Sequence, residues 1–72
     1  MGDVEQMRMT RRRDAQERHE RIITAAQREF AARGVDASLE KIARDAGVAI
    51  GTLYRHFPTR LDLLMAAFAP RL

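Results

Sequence analysis

The chain has 72 residues, no cysteine, 46% apolar residues and a formal net charge of +3. A chain of this length forms one small domain, which buries only about 60% of its unfolded surface. The lack of cysteine excludes a disulfide framework and a thiolate metal site. The sequence contains neither a signal-peptide core nor an apolar run near the roughly 20 residues of a membrane span, so we expect a cytoplasmic protein.

The basic residues are almost all arginine. Of the 13 basic residues, Lys41 is the single lysine. The planar guanidinium suits phosphate and guanine better than an ammonium group does. A GC-rich genome favours arginine codons whatever the function, so the composition permits nucleic-acid binding and does not establish it.

The first part of the chain predicts an arm and a long helix. Residues 1–13 lack apolar periodicity, and we expect a flexible basic arm that ends in Arg11, Arg12 and Arg13. A first helix is predicted over about 14–33, because apolar residues recur every three or four positions, at Ala15, His19, Ile22, Ala26 and Phe30. The opposite face is expected to carry solvated charges, among them Glu29. Gly34 suits a left-handed C-cap.

Three shorter helices are predicted from their caps and breakers. Ser38 can cap a second helix over about 39–46, which Gly47 ends. A third helix is predicted over about 49–56, before Pro58. Thr59 and Asp62 have the spacing of a capping box at the start of a fourth helix, within 59–72. The apolar residues of that helix form a stripe of Leu61, Leu64, Met65 and Phe68.

The predicted fold is therefore all-α. We expect a homeodomain-like three-helix bundle of the helix-turn-helix type over residues 14–58, plus the start of a fourth helix. Gly47 fits the turn between the second and third helices, where a positive φ is needed. Ala43 is small enough for the third helix to pass closely over it.

The third helix places a glycine and an arginine on its outward face. With Leu53 taken as the inward direction, Ile50 falls within about 60° of it, whereas Gly51 and Arg55 fall almost opposite. A solvated helical glycine costs up to about 1 kcal/mol relative to alanine. Gly51 therefore favours close approach of a partner, as in the DNA major groove.

This arrangement predicts a division of roles on DNA. Arg55 can bind guanine O6 and N7, and Ile50 can contact a thymine methyl group. Contacts to phosphates are expected from Ser38, Thr52, Tyr54 and Arg60. The arginines at 11–13 can follow the backbone or enter the minor groove.

Several of these residues also have simpler interpretations. Tyr54 can cover the helix pair with its ring, and the run of arginines at 11–13 can be a solvated charge run. His56 lies near the apolar flank, so the helical wheel leaves it open between packing and a phosphate contact. His19 is expected in the core or at its boundary.

Catalysis and metal binding find little support in the sequence. The two histidines stand far apart, without the spacing of metal ligands, and the acids are scattered over helix faces. We therefore expect no enzymatic activity, no metal site and no cofactor.

The assembled motif resembles the tetracycline-repressor (TetR) family of bacterial transcription regulators, from Arg21 to about Ala67. The resemblance rests on residues 22–30, with Ile22, Ala25, Ala26 and Phe30, on Gly34, and on Ser-Leu-x-x-Ile-Ala at 38–43. It continues with Ala-Gly-Val at 46–48, Gly-Thr-Leu-Tyr-Arg-His-Phe at 51–57, a basic residue at 60 and leucines at 63 and 64.

The resemblance implies a homodimeric repressor whose third helices enter successive major grooves of a palindromic operator. It implies contacts to bases at Ile50, Gly51 and Arg55, and contacts to phosphates at Thr52, Tyr54, His56 and Arg60. Two departures stand out. Position 49 is an alanine where the family often has a capping serine, and the chain stops before the helical domain that dimerises and binds an inducer. A dimer surface and an inducer pocket are therefore expected to be largely absent here.

Two other functions remain open from the sequence. The stripe on the fourth helix can pair with another chain, which would make the protein a helical interaction module. Alternatively, the chain can be a truncated remnant that does not bind DNA.

Overall fold

The computed structural model describes the backbone of residues 3–69 and the side chains of residues 11–69. Four α-helices follow one another as α1 (Asp3–Arg33), α2 (Leu39–Ala46), α3 (Ile50–His56) and α4 (Arg60–Phe68), with a short 3-10 turn at Gly34–Asp36. The described residues contain no strand. The predicted all-α fold is confirmed.

Helix α1 begins much earlier than the sequence predicts. The arm expected over residues 1–13 is helical from Asp3 onward, so Arg11, Arg12 and Arg13 lie within α1. An apolar stripe is not needed for a helix when the residues themselves favour it. Between Asp3 and Arg13 there is no glycine or proline, and glutamate, glutamine, methionine and arginine all have good helix propensity. The prediction of an irregular arm is corrected accordingly.

A single core joins all four helices. Its fully buried large side chains come one from each helix, at Ile22, Ile42, Leu53 and Leu63. The rest of the core consists of ten further buried apolar residues, namely Ile23, Ala25, Ala26, Phe30, Ala37, Leu39, Ala43, Ala46, Phe57 and Ala67. The predicted stripe of α1 holds from Ile22 to Phe30. Ala15 is exposed, as are its neighbours from 11 to 18, because the core does not extend to that part of α1.

The turns are built as their residues predict. Gly47 has φ 73° and its N–H donates to the carbonyls of Ala43 and Arg44, which ends α2 in the left-handed conformation. Thr59 and Asp62 form a complete capping box at the start of α4. These local signals set the bounds of α2 and α4, and with them the position of α3.

Helix α4 turns a different face to the core than its apolar stripe suggests. Leu63 and Ala67 are buried and Leu64 is half-buried, whereas Leu61, Met65 and Phe68 are 56–63% exposed. The exposed three follow one another at spacings of four and three residues and therefore share one side of the helix.

Candidate nucleic-acid interface

Helix α3 is attached to the core by few side chains. Within the helix only Leu53 is buried, and Phe57 follows directly after its end. The helix begins at Ile50, one residue after the predicted start, with Ala49 as the N-cap. Ala49 makes no side-chain cap, and its carbonyl accepts hydrogen bonds from the N–H groups of Thr52 and Leu53 at 3.0 and 3.1 Å. Most of the helix surface therefore stays available to a partner.

The outward face of α3 carries the residues that the sequence assigns to bases. Gly51 and Arg55 are exposed, and Ile50 is 39% exposed. The helical wheel predicts that Ile50 points toward the core. Leu53 is the only buried residue of α3, however, and Ile50 at the start of the helix stays exposed. The side chain of Tyr54 is 45% exposed and Thr52 is half-buried, on the flanks of this face.

Gly51 has no structural reason to be glycine. Its φ is not positive, in contrast to Gly34 and Gly47. A methyl group at its Cα would have no contact within 4 Å outside its own helical turn. Since neither the backbone nor internal packing requires a glycine, the requirement comes from outside the chain or does not exist.

Ser38 caps α2, as predicted, and is tied to α1 as well. Its Oγ accepts a hydrogen bond from the Lys41 N–H at 3.1 Å. Its own N–H donates to Glu29 Oε2 at 2.9 Å. The hydroxyl hydrogen remains as the group that can donate to a phosphate.

Arg60 already has partners within the chain. Its Nη1 donates to the carbonyl oxygen of Ala37 at 2.5 Å and lies 3.3 Å from that of Val35. The residue predicted to bind a phosphate from the start of α4 therefore reaches back to the segment before α2.

His56 lies at the C-terminal end of α3, against the middle of α1. Its ring centroid is 5.6 Å from that of His19, which in turn stacks on Phe57 at 4.8 Å. Burial lowers the pKa of His56, and the charges of His19, Arg18 and Arg55 lower it further. The neutral imidazole is thus favoured in the free protein.

This lowered pKa predicts a loss of stability in acid. Below about pH 6.5 the unfolded chain binds a proton that the folded chain resists, so this contribution is complete above that pH and is lost as the pH falls. We expect the free energy of unfolding to decrease from about pH 7.5 to about pH 5.5, where carboxylates stay ionised. His56→Gln should flatten that decrease in urea titrations at both pH values. An equally steep decrease in the variant would assign the effect to another group.

Glu29 has a structural role that was not predicted from the sequence. It was predicted on the solvated face of α1, but it is 3% exposed and faces α2. Arg33 Nε lies 3.5 Å from Oε2, and Lys41 Nζ lies 3.9 Å from Oε1. The spacing could have shown this, because Glu29 follows Ile22 by seven residues and Ala26 by three, which places it on the buried stripe.

The arginines at 11–13 lie on α1, before the part of this helix that contacts α3. All three are exposed on α1, about two turns before His19, which contacts His56 and Phe57 at the end of α3. Within the described residues, no group of three histidine, cysteine, aspartate or glutamate side chains could hold a metal ion. None of the helices described is long and apolar enough to cross a membrane.

Residues 22–67, which include all of α2 and α3 and the buried part of α1, match the family model of bacterial regulatory proteins of the tetR family. The chain belongs to this family. The HTH-type transcriptional regulator SrpR of Pseudomonas putida is 49% identical to it over 59 residues. These residues make up 81% of this chain and 28% of SrpR. The uncharacterized HTH-type transcriptional regulator TtgW of the same species is also 49% identical over 59 residues. These residues make up 81% of this chain and 44% of TtgW.

A third relative comes from another genus. An HTH-type transcriptional regulator of Staphylococcus aureus is 43% identical over 53 residues, which cover 72% of this chain and 29% of that protein. The chain thus spans less than half the length of each of these three relatives. No solved structure shows a significant match. The matched region contains α2 and α3, two short helices joined by a turn at Gly47, and the description of the family is that of bacterial regulatory proteins.

Proposed function

We propose that this TetR-family chain binds specific sequences of double-stranded DNA, with α3 in the major groove, and that it does so as part of a cytoplasmic repressor. The observation that carries the proposal is the outward face of α3. That face combines an exposed arginine with a glycine that nothing inside the chain requires. Close approach of the backbone to base edges accounts for the glycine, and contact with those edges accounts for the arginine.

On this proposal Ile50, Gly51 and Arg55 face the bases. Arg55 stands one turn after Gly51 on the same face, so its guanidinium can bind guanine O6 and N7 where the backbone is closest to the groove. Ile50, at the start of α3, is exposed enough to meet a thymine methyl group. These contacts carry the sequence preference.

The contacts to phosphates are proposed for residues around that face. They come from the start of α2 and from α3, at Ser38, Thr52, Tyr54 and His56. The sequence also predicts one at Arg60, whose guanidinium donates to carbonyl oxygens of the chain itself. Arg11, Arg12 and Arg13 are helical, so we propose that they follow the phosphate backbone along α1 and do not form an extended arm in the minor groove. Such contacts position the protein without reading sequence.

We further propose that two copies bind the two halves of a palindromic operator. In the longer relatives, dimerisation and any inducer site would belong to the part beyond the region matched here. A dimer holds its second module at a high effective concentration. The 72-residue chain alone should therefore bind weakly and with strong salt dependence.

The test is a selection from random-sequence duplexes, followed by fluorescence anisotropy at two salt concentrations. Arg55→Ala should cost about 1–3 kcal/mol of binding free energy on the selected duplex and relax the preference at one base pair. Arg28→Ala is the matched control, because it also removes an exposed arginine but lies on α1. It should leave the base preference unchanged. A folded wild-type chain that binds no duplex even at low salt would refute the proposal.

A second candidate function is supported by α4. The exposed side formed by Leu61, Met65 and Phe68 is the largest group of exposed apolar side chains that the described residues place on one helix. Such a surface suits pairing with another helix. If pairing is the function of this chain, sedimentation without DNA should show self-association that Met65→Glu abolishes, and the selection should recover no preferred duplex.

A further inference from the structure

The segment that leads into α2 is held from two sides by side chains of opposite charge. On one side, the carboxylate of Glu29 accepts the hydrogen bond from the N–H of Ser38. On the other side, the guanidinium of Arg60 donates to the carbonyl of Ala37, the residue just before it in the chain. The two groups therefore bind the two ends of one peptide unit, the C=O and the N–H that join Ala37 to Ser38.

Both side chains are placed for this task. Glu29 is buried, and its charge is balanced by the nearby cations of Arg33 and Lys41, so a carboxylate can be kept in the interior. Arg60 is the first residue of α4, where the positive end of the helix disfavours a cation. Its side chain turns instead to carbonyl oxygens at the end of the 3-10 turn, where the partial charge is negative.

We call Glu29, Arg60 and the Ala37–Ser38 peptide that they hold the clamp. Its peptide is also the start of the helix-turn-helix. Ala37 is fully buried, and Ser38 caps α2 through its hydroxyl group. Ile42 N–H then donates to the Ser38 carbonyl at 3.0 Å, which starts the hydrogen-bond ladder of α2. A displacement of this peptide would therefore displace the first turn of α2, and with it the proposed phosphate contact of Ser38.

We infer that Glu29 and Arg60 are positioning residues for DNA binding, and that Arg60 acts through the Ala37–Ser38 peptide and not as a phosphate ligand. This inference rests on the proposed DNA-binding function. It replaces the direct phosphate contact expected of Arg60 with an indirect one. The guanidinium sets where α2 begins relative to α4, and the carboxylate sets where it begins relative to α1.

Salt dependence separates the two roles of Arg60. The slope of log K against log salt is negative, and removal of a phosphate-binding cation makes it shallower by about 1. We expect Arg60→Ala to weaken binding to the selected duplex at least about fivefold, which is about 1 kcal/mol, and to keep the wild-type slope. Arg28→Ala, with the same loss of charge, serves as the control for general electrostatics.

Amide hydrogen exchange in the free chain tests the clamp itself. In Arg60→Ala and in Glu29→Ala, the amides of Ala37 and Ser38 should exchange at least about tenfold faster, while the amide of Phe57 keeps its wild-type rate. Arg60 is exposed, so its variant should fold even if Glu29→Ala does not.

Three outcomes would overturn the inference. The first is a salt slope that becomes shallower by about 1 in Arg60→Ala while the amide exchange rates stay unchanged, which makes Arg60 a phosphate ligand. The second is faster exchange with wild-type affinity, which makes the clamp irrelevant to DNA. The third is no change in either quantity. If the wild-type chain binds no duplex, the proposed function fails as well, and the exchange rates still show whether the clamp exists.

Discussion

Leu53→Ala should remove about 2–5 kcal/mol from the free energy of unfolding, the usual cost of a leucine truncated in a packed core. Leu53 is fully buried and is the one residue of α3 that reaches the core. Domains are stable by only about 5–15 kcal/mol, and one of 72 residues lies at the lower end. The variant is therefore expected to unfold largely at physiological temperature, or to lose α3 first and DNA binding with it.

Urea titration followed by circular dichroism would measure this loss. Ile50→Ala is the matched control, since it truncates an aliphatic side chain of the same helix that is 39% exposed. It should cost well under half as much, because less apolar surface returns to water. Similar losses in the two variants would contradict the view that α3 is held by Leu53.

The elements that the sequence predicts best are those with local causes. Gly47 ends α2 because a left-handed residue is needed there, and Ser38 and Thr59 start helices because their oxygens accept the next free N–H groups. Such interactions span three or four residues and can be read directly from the sequence. The buried residues of α2, which are Leu39, Ile42, Ala43 and Ala46, also follow the helical period.

The errors concern interactions between distant segments. Whether Glu29 is solvated depends on the N–H of Ser38, which only the packing of α2 on α1 brings near. The exposure of Ile50 depends on how far α3 extends beyond its contact with the core. At Arg60, the sequence predicts a phosphate contact, and the structure adds intrachain partners that were not predicted. Its observed partners are carbonyls 23 and 25 residues away, which a motif cannot show.

The two glycines of the helix-turn-helix should respond in opposite ways to the same substitution. Gly51→Ala should stabilise the fold by up to about 1 kcal/mol, because Gly51 is helical and exposed and has free space at its Cα. Gly47→Ala should destabilise it by about 1–2 kcal/mol, because an alanine with a positive φ is strained. Urea titration of the two variants measures both effects.

The DNA affinity of Gly51 variants should show whether Gly51 differs from an ordinary exposed position of a helix. If its backbone lies against base edges, each added carbon prevents that approach, so Gly51→Ala should bind more weakly although it is more stable. Gly51→Leu should lose at least about a hundredfold in affinity, or about 2.7 kcal/mol. Thermal unfolding of the same samples is the control, since both variants must remain folded. If Gly51→Leu keeps wild-type affinity and base preference, the outward face of α3 does not enter the groove, and the proposed function loses the observation that carries it.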